Sequence, residues 1–115
     1  MSDGAAPTIG VLSLHSSKES KAILNAAAAL GADTEWLRTE NTAVDIRDNA
    51  VSVEPDVDVV VNRLLLSSQD QPIEGYGLAA TLARCKPICN APDAVATAIH
   101  KFACAVTLAT ADVPV

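Results

Sequence analysis

The sequence predicts an α/β domain: a mainly parallel, four-stranded sheet covered by helices, three layers in all. Three observations predict it. Short apolar runs rich in β-branched residues alternate with helical patterns along the chain. The first strand, helix and second strand fit within about thirty residues, the size of a βαβ unit, whose right-handed crossover makes its strands parallel. Two later strands end in polar residues at their carboxyl ends, where ligands bind in open α/β sheets. At 115 residues the chain fits one domain: a flexible start over 1–7, the domain over 8–111, and the start of a linker over 112–115.

Each element has its own signal. Thr8 to Leu14 is a short apolar run, read as a buried strand. Ser16 with Glu19 three residues on forms a capping box for a helix over Lys18 to Leu30. Its buried face is Ile23, Ala26, Ala27 and Leu30, and Gly31 ends it. Thr34 to Arg38 is the second strand. Val44 to Arg47 and Val51 to Val53 alternate apolar and polar residues around Asp48-Asn49, a turn signal, so a hairpin at the sheet edge is expected. Val57 to Val61 reads as a strand covered on both faces. Leu64-Leu65-Leu66 lies just past its charged end, placed to pack on the sheet's crest or against a partner, and Ser67 to Gln71 is a polar, mobile stretch. Ile73 to Cys85 is a helix burying Leu78, Ala79, Leu82 and Ala83; Pro87 to Asn90 is the fourth strand. A last helical pattern starts at Pro92-Asp93, with a break near His100, and reaches Ala109.

Composition narrows the function. Half the residues are hydrophobic but only one Phe, one Trp and one Tyr are present, so the core must be aliphatic. The net charge of -6, with 8 Lys plus Arg spread along the chain, excludes a basic nucleic-acid-binding patch. The acidic excess suits a high-salt cytoplasm, where screening keeps such a surface hydrated. Cys85, Cys89 and Cys104 are odd in number and lack zinc-site spacing; they read as small buried thiols in a reducing compartment. Residues 1–8 lack a basic region followed by an apolar run, and no apolar run spans a bilayer, so a soluble, cytoplasmic protein without a membrane partner is expected.

The candidate site gathers at the strand ends. Arg63 follows a run of valines and must leave the core at once, because a buried unpaired guanidinium is very costly. Its fork suits a carboxylate or phosphate; the plainer alternative is a surface ion pair with Asp70 or Glu74. Asn62 precedes it. Asn90 ends the neighbouring strand, where it suits a ligand or caps the next helix. His15 and Ser16 follow the first strand, either as a loop holding an anion at a helix start or as a plain cap. No Ser-His-Asp arrangement supports nucleophilic catalysis. Gly75 and Gly77 form only GxG without a preceding strand, an irregular helix start rather than a phosphate loop.

The order of elements, with Val59-Val60-Val61-Asn62-Arg63, Pro87-Ile88-Cys89-Asn90, His100-Lys101 and Ala111-Asp112-Val113-Pro114-Val115, resembles the Rossmann-like, pre-ATP-grasp N-terminal domain of RimK-type ATP-grasp ligases over about residues 8 to 115. Among these it is most similar to the glutamate ligases, in particular the branch acting on an amino-group carrier protein of lysine biosynthesis. His100 stands where the family has Asp, and Ala111 to Pro114 where it has a Gly-hydrophobic-Pro phrase. The resemblance implies one wall of a substrate cleft, with His15, Ser16, Asn62, Arg63 and Asn90 facing a small acidic amino acid or carrier. Lys101, otherwise a solvated helix residue, would approach the nucleotide's phosphates. The complete enzyme would use ATP and Mg²⁺ to phosphorylate a carboxylate that an amine then attacks. An ATP-grasp module, in the same chain or a separate subunit, would hold both. This chain would contribute no catalytic or metal-binding residue and be inactive alone; a homo-oligomer is left open. The alternative is a stand-alone module for small-ligand binding or partner docking. A flavodoxin-like or receiver-type domain fits less well, because the loop after the first strand has neither a phosphate-binding pattern nor an acidic pair.

Overall fold

The central element is β1 (Thr8–Leu12), a five-residue strand whose Val11 and Leu12 are fully buried. The structure, a computed structural model, describes residues 5–13, 17–38, 40–64 and 72–114. The chain continues through α1 (Lys18–Ala29), β2 (Asp33–Leu37), β3 (Ala43–Arg47), β4 (Ala50–Glu54), β5 (Val59–Asn62), α2 (Pro72–Cys85), β6 (Ile88–Cys89), α3 (Pro92–Ile99) and α4 (Lys101–Thr110). Four strands form one all-parallel sheet in the order β2-β1-β5-β6. The α/β fold class is the one the sequence predicts.

Alternation along the strands sorts the two faces. On one, Leu12, Leu37 and Val60 join Val57, Leu64, Ala79 and Leu82 in a cluster that also takes Val53 from β4. It is aliphatic throughout, as the composition requires. The other face carries Val11 and is covered by α1, which packs on β1 and β2 and buries Ala27 and Ser20. Gly10 is dictated by packing on the first face. A Cβ there would lie 2.8 Å from Leu37 Cδ1 and 3.0 Å from Val57 Cγ1, so only a glycine lets these side chains close over β1.

α1 begins one residue later than the capping-box spacing implies. Its N-cap is Ser17, whose Oγ accepts from the Ser20 backbone N–H at 3.1 Å. The cap differs from the Ser16–Glu19 box expected, because the side chain that reaches the orphan N–H three residues on is that of Ser17; Ser16 itself lies outside the described residues. The far end follows the prediction: Gly31 takes φ +92°, its N–H reaches Ala28 O at 3.0 Å, and the Ala32 N–H reaches Ala27 O at 3.0 Å. That pair of bonds defines a Schellman motif. The buried stripe is rotated from the predicted one. Ser20, Ile23, Leu24 and Ala27 face inward, whereas Ala26 is exposed and Leu30, beyond the last helical turn, is 89% exposed.

The predicted hairpin forms with a two-residue turn, Asp48 (φ 52°) and Asn49 (φ 64°), both in the left-handed region a type I′ turn demands. It does not extend the main sheet: β3 and β4 are a separate two-stranded sheet. Val44 and Val53, partners in register, turn that ribbon onto the core beside α2. Burying this valine pair against α2 uses the ribbon's apolar face, which edge pairing alone would leave open. α2 runs regularly through Gly75 and Gly77, so these glycines are not an irregular start.

The break near His100 is present and separates α3 from α4. Here the imidazole substitutes chemically for a capping carboxylate: His100 Nδ1 accepts from the Ala103 N–H at 3.2 Å. Leu64 is 5% exposed and belongs to the core, so it is not available to a partner. The three cysteines are free, but none is fully buried; Cys89 is exposed and the other two are half-buried. The expectations for Leu65, Leu66 and residues 67–71 lie outside the described residues, as do those for 1–4 and 115.

Candidate functional site

The strand order creates a switch point. From β1 the chain crosses to β2 on one side; from β5, on the other side of β1, it crosses outward to β6. The connections leaving the carboxyl ends of β1 and β5 lead to α1 and α2 on opposite faces of the sheet, and such a switch point is where the ligand crevice of an open α/β sheet usually lies.

β5 delivers Asn62 and Arg63 to this crevice. The Arg63 N–H still bonds Leu12 O at 2.8 Å, so its backbone is held against β1 while its side chain is exposed. Among the described residues it makes no ion pair, and Asp70 and the Glu74 side chain lie outside them. Asn62 behaves differently. It is 9% exposed, its Nδ2 donates to Asn90 O at 3.1 Å, and its Oδ1 accepts from the Leu64 N–H at 3.2 Å. One carboxamide thus ties the end of β5 to the end of β6 and fixes the chain just past Arg63.

Asn90 is exposed at the same edge. It does not cap α3, whose N-cap is Ala91 without a side-chain bond; its own Oδ1 meets the Cys89 thiol at 3.6 Å. Pro92 in the first turn and Asp93 beside it start the helix instead. Asn90 therefore presents a carboxamide to solvent next to Asn62.

His15 and Ser16 lie outside the described residues. Their flanks are fixed: Ser13 N donates to Leu37 O at 3.1 Å, and Ser17 caps α1. Lys101 is exposed and begins α4. From Asn90 it is separated by the whole of α3, about 12 Å of helical rise. It borders an apolar hollow of about 340 Å³ with Ile99, Cys104 and Leu108. No bond among the described residues joins it to the strand-end group.

A second cation at the edge was missed. Trp36 and Arg38 end β2, and Arg38 Cζ stacks 4.4 Å from the Trp36 ring centroid. The indole Nε1 donates to Ser13 O at 2.9 Å, anchoring this pair to the end of β1. Asn41 holds the following loop, accepting from Arg38 N at 2.8 Å and donating to Trp36 O at 2.9 Å. Arg38 Nε lies 3.6 Å from Glu40 Oε2, longer than a hydrogen bond, and makes none. The signal was present, since Trp36-Leu37-Arg38 is an apolar strand end closed by arginine, as Val61-Asn62-Arg63 is. Arg38 and Arg63 flank the end of β1 across two strand spacings, about 10 Å.

The two guanidinium forks flank the end of β1, Arg63 at the switch point and Arg38 on the far side of β1, and each can grip an anion through parallel hydrogen bonds. Nothing in the described geometry positions a nucleophile against a base. Among the described residues no group of three His, Cys, Asp or Glu stands ready to hold a metal ion. With Lys101 beside an apolar hollow, these residues do not by themselves fit ATP with Mg²⁺. No helix among them is long and apolar enough to cross a membrane. No protein-family model matches the chain, and no curated protein matches it.

Proposed function

We propose that this chain is the substrate-cleft domain of a RimK-like, cytoplasmic ATP-dependent carboxylate–amine ligase, shaped for a small acidic amino acid such as glutamate. One observation carries the reading. At the switch point between β1 and β5, Arg63 offers an exposed guanidinium that makes no ion pair among the described residues, and its backbone is pinned on one side by Leu12 and on the other by the Asn62 strut. Pinning the backbone lowers the ordering cost of gripping a carboxylate. Asn62 serves as the strut and Asn90 adds an exposed carboxamide; His15 and Ser16 are the substrate-facing residues that the family resemblance implies. ATP and Mg²⁺ belong to an ATP-grasp module, in the same polypeptide or a second subunit. Lys101 would act only when that module is docked. The acidic surface suits a high-salt cytoplasm.

The test is a titration of the isotopically labelled chain with glutamate, followed by amide NMR. Shifts should centre on residues 62–64 and 90–91, and Arg63→Gln should weaken binding about tenfold or more, the loss expected of a charged hydrogen-bonded contact worth about 1.5–3 kcal/mol. The chain alone should not turn over ATP with Mg²⁺ and glutamate. Shifts confined to other surfaces, or an Arg63→Gln variant that binds as well as wild type, would overturn the proposal.

A second reading, a partner-docking module, is favoured by α4. No residue of this helix is buried, and Phe102, 79% exposed, and Val106 lie one turn apart on it. Light scattering with a separately supplied ATP-grasp subunit distinguishes the two, because docking predicts a complex that Phe102→Glu abolishes while glutamate binding at Arg63 is untouched.

A further inference from the structure

A hollow lies at the opposite end of the sheet from the strand-end site. It has a volume of about 560 Å³ and is lined by Val51, Ser52, Val53 and Glu54 of β4, by Asp56, and by Arg84, Cys85 and Lys86 where α2 ends. Asp56 precedes β5 and Lys86 precedes β6, which places the hollow at the amino ends of those strands. The ribbon forms one wall and the end of α2 the other.

We propose that this hollow is a binding site for a small zwitterion, an α-amino acid with an aliphatic side chain. Its charges define the class. The lining carries two carboxylates, Glu54 and Asp56, and two cations, Arg84 and Lys86, so it has no net charge. A phosphate-bearing ligand would meet both carboxylates, and a polyamine both cations. Lys86 and Asp56 are already closed on each other, Nζ to Oδ1 at 2.6 Å. Glu54 and Arg84 are the unspent pair. Both line the hollow, both are exposed, and among the described residues neither makes an ion pair, with the other or with any group. An amino acid between them would place its carboxylate on the Arg84 fork and its ammonium on Glu54, completing both. Arg84 sits in the last turn of α2, where the helix's negative end keeps a cation in place. Val51, 52% exposed, supplies an apolar surface for an aliphatic side chain. The hollow's size falls in the usual range for small-molecule sites, about 300–1,000 Å³.

This site does not depend on the ligase reading, because it shares no residue with the strand-end group. The experiment is amide NMR of the labelled chain with leucine at up to about 10 mM, tenfold above a Kd of about 1 mM. Shifts are expected at Val51, Glu54 and residues 84–86. Leucinamide, which lacks the carboxylate, and isocaproate, which lacks the ammonium, should each bind about tenfold more weakly. Arg84→Gln should lower leucine affinity about tenfold without further weakening leucinamide. Glu54→Gln should do the same for leucine without further weakening isocaproate. Both side chains are exposed, so both variants should fold, which their amide spectra check. Absence of shifts at these residues, or leucine binding indifferent to both substitutions, would overturn the assignment.

Discussion

Replacing Asn62 by leucine should unfold the switch point from within. The substitution keeps the side chain's approximate volume, so cavity terms are small and the loss is one of hydrogen bonding. Two backbone groups lose their partner. The Leu64 N–H belongs to a residue only 5% exposed and now bonds Asn62 Oδ1 at 3.2 Å. Left without an acceptor, a buried donor costs about 1–3 kcal/mol. The Asn90 carbonyl, which accepts from Nδ2 at 3.1 Å, sits on an exposed residue where water can replace the bond, so only its net worth of about 0.5–1.5 kcal/mol is lost. Together the expected destabilisation is about 1.5–4.5 kcal/mol. Urea unfolding followed by circular dichroism measures it as a lower midpoint at unchanged slope. Arg63→Gln is the control: the side chain is exposed and makes no ion pair among the described residues, so stability should stay within about 0.5 kcal/mol of wild type. An Asn62→Leu protein as stable as that control would refute the strut, and with it the argument that Arg63 is held in place rather than merely near the crevice.

Three further outcomes follow from packing, capping and charge. Gly10→Ala should cost about 1–3 kcal/mol by overpacking, because the new methyl would press on Leu37 and Val57, which are 0% and 1% exposed. Adding Leu37→Ala should make the two effects non-additive in thermal unfolding, the methyl then having room. Ser17→Ala should cost about 1 kcal/mol by removing the cap of α1, whereas Ser16→Ala should leave thermal stability unchanged. The Asp56 carboxyl is held below its ordinary value of 3.8 by the hydrogen bond from Lys86 and then by that residue's charge. Its contribution to stability is therefore present above the ordinary value and lost as pH falls through the lowered one. Carboxyl NMR titration should show Asp56 below 3.8 in wild type and returned toward it in Lys86→Met.

The fold was legible because its signals are local. The β-branched runs, Gly31 past the end of α1, Asp48-Asn49 between alternating segments and Pro92 at a helix start each act through backbone preferences that neighbours in sequence already fix. What failed depended on tertiary choice. Two adjacent serines offer α1 the same capping chemistry, and sequence spacing alone does not choose between them; in the structure Ser17 is the cap. Leu30 fits the helical stripe but falls beyond the last turn, where it has nothing to cover. The hairpin's pattern states that one face is buried; it does not state against what, and α2 outcompetes the sheet edge. At the site, Arg63 was legible because an arginine after valines has one physical escape, toward water. Arg38 has the same grammar, and its significance appears only when the strand order sets β2 beside β1.

The two arginines at that edge are prepared unequally, and the difference orders their roles. Arg38 is stacked on Trp36, which is itself bonded to Ser13, and its backbone is clasped by Asn41. Its guanidinium has already lost much of its freedom and faces Glu40 at 3.6 Å, so its charge is partly answered before any ligand arrives. Arg63 has a fixed backbone, and among the described residues no ion pair answers its charge. An incoming carboxylate therefore gains most from Arg63, because there the attraction is not shared with a protein anion and the ordering cost falls on the side chain alone. In the proposed site Arg38 would add a standing positive field on the far side of β1, drawing an anion toward the strand ends.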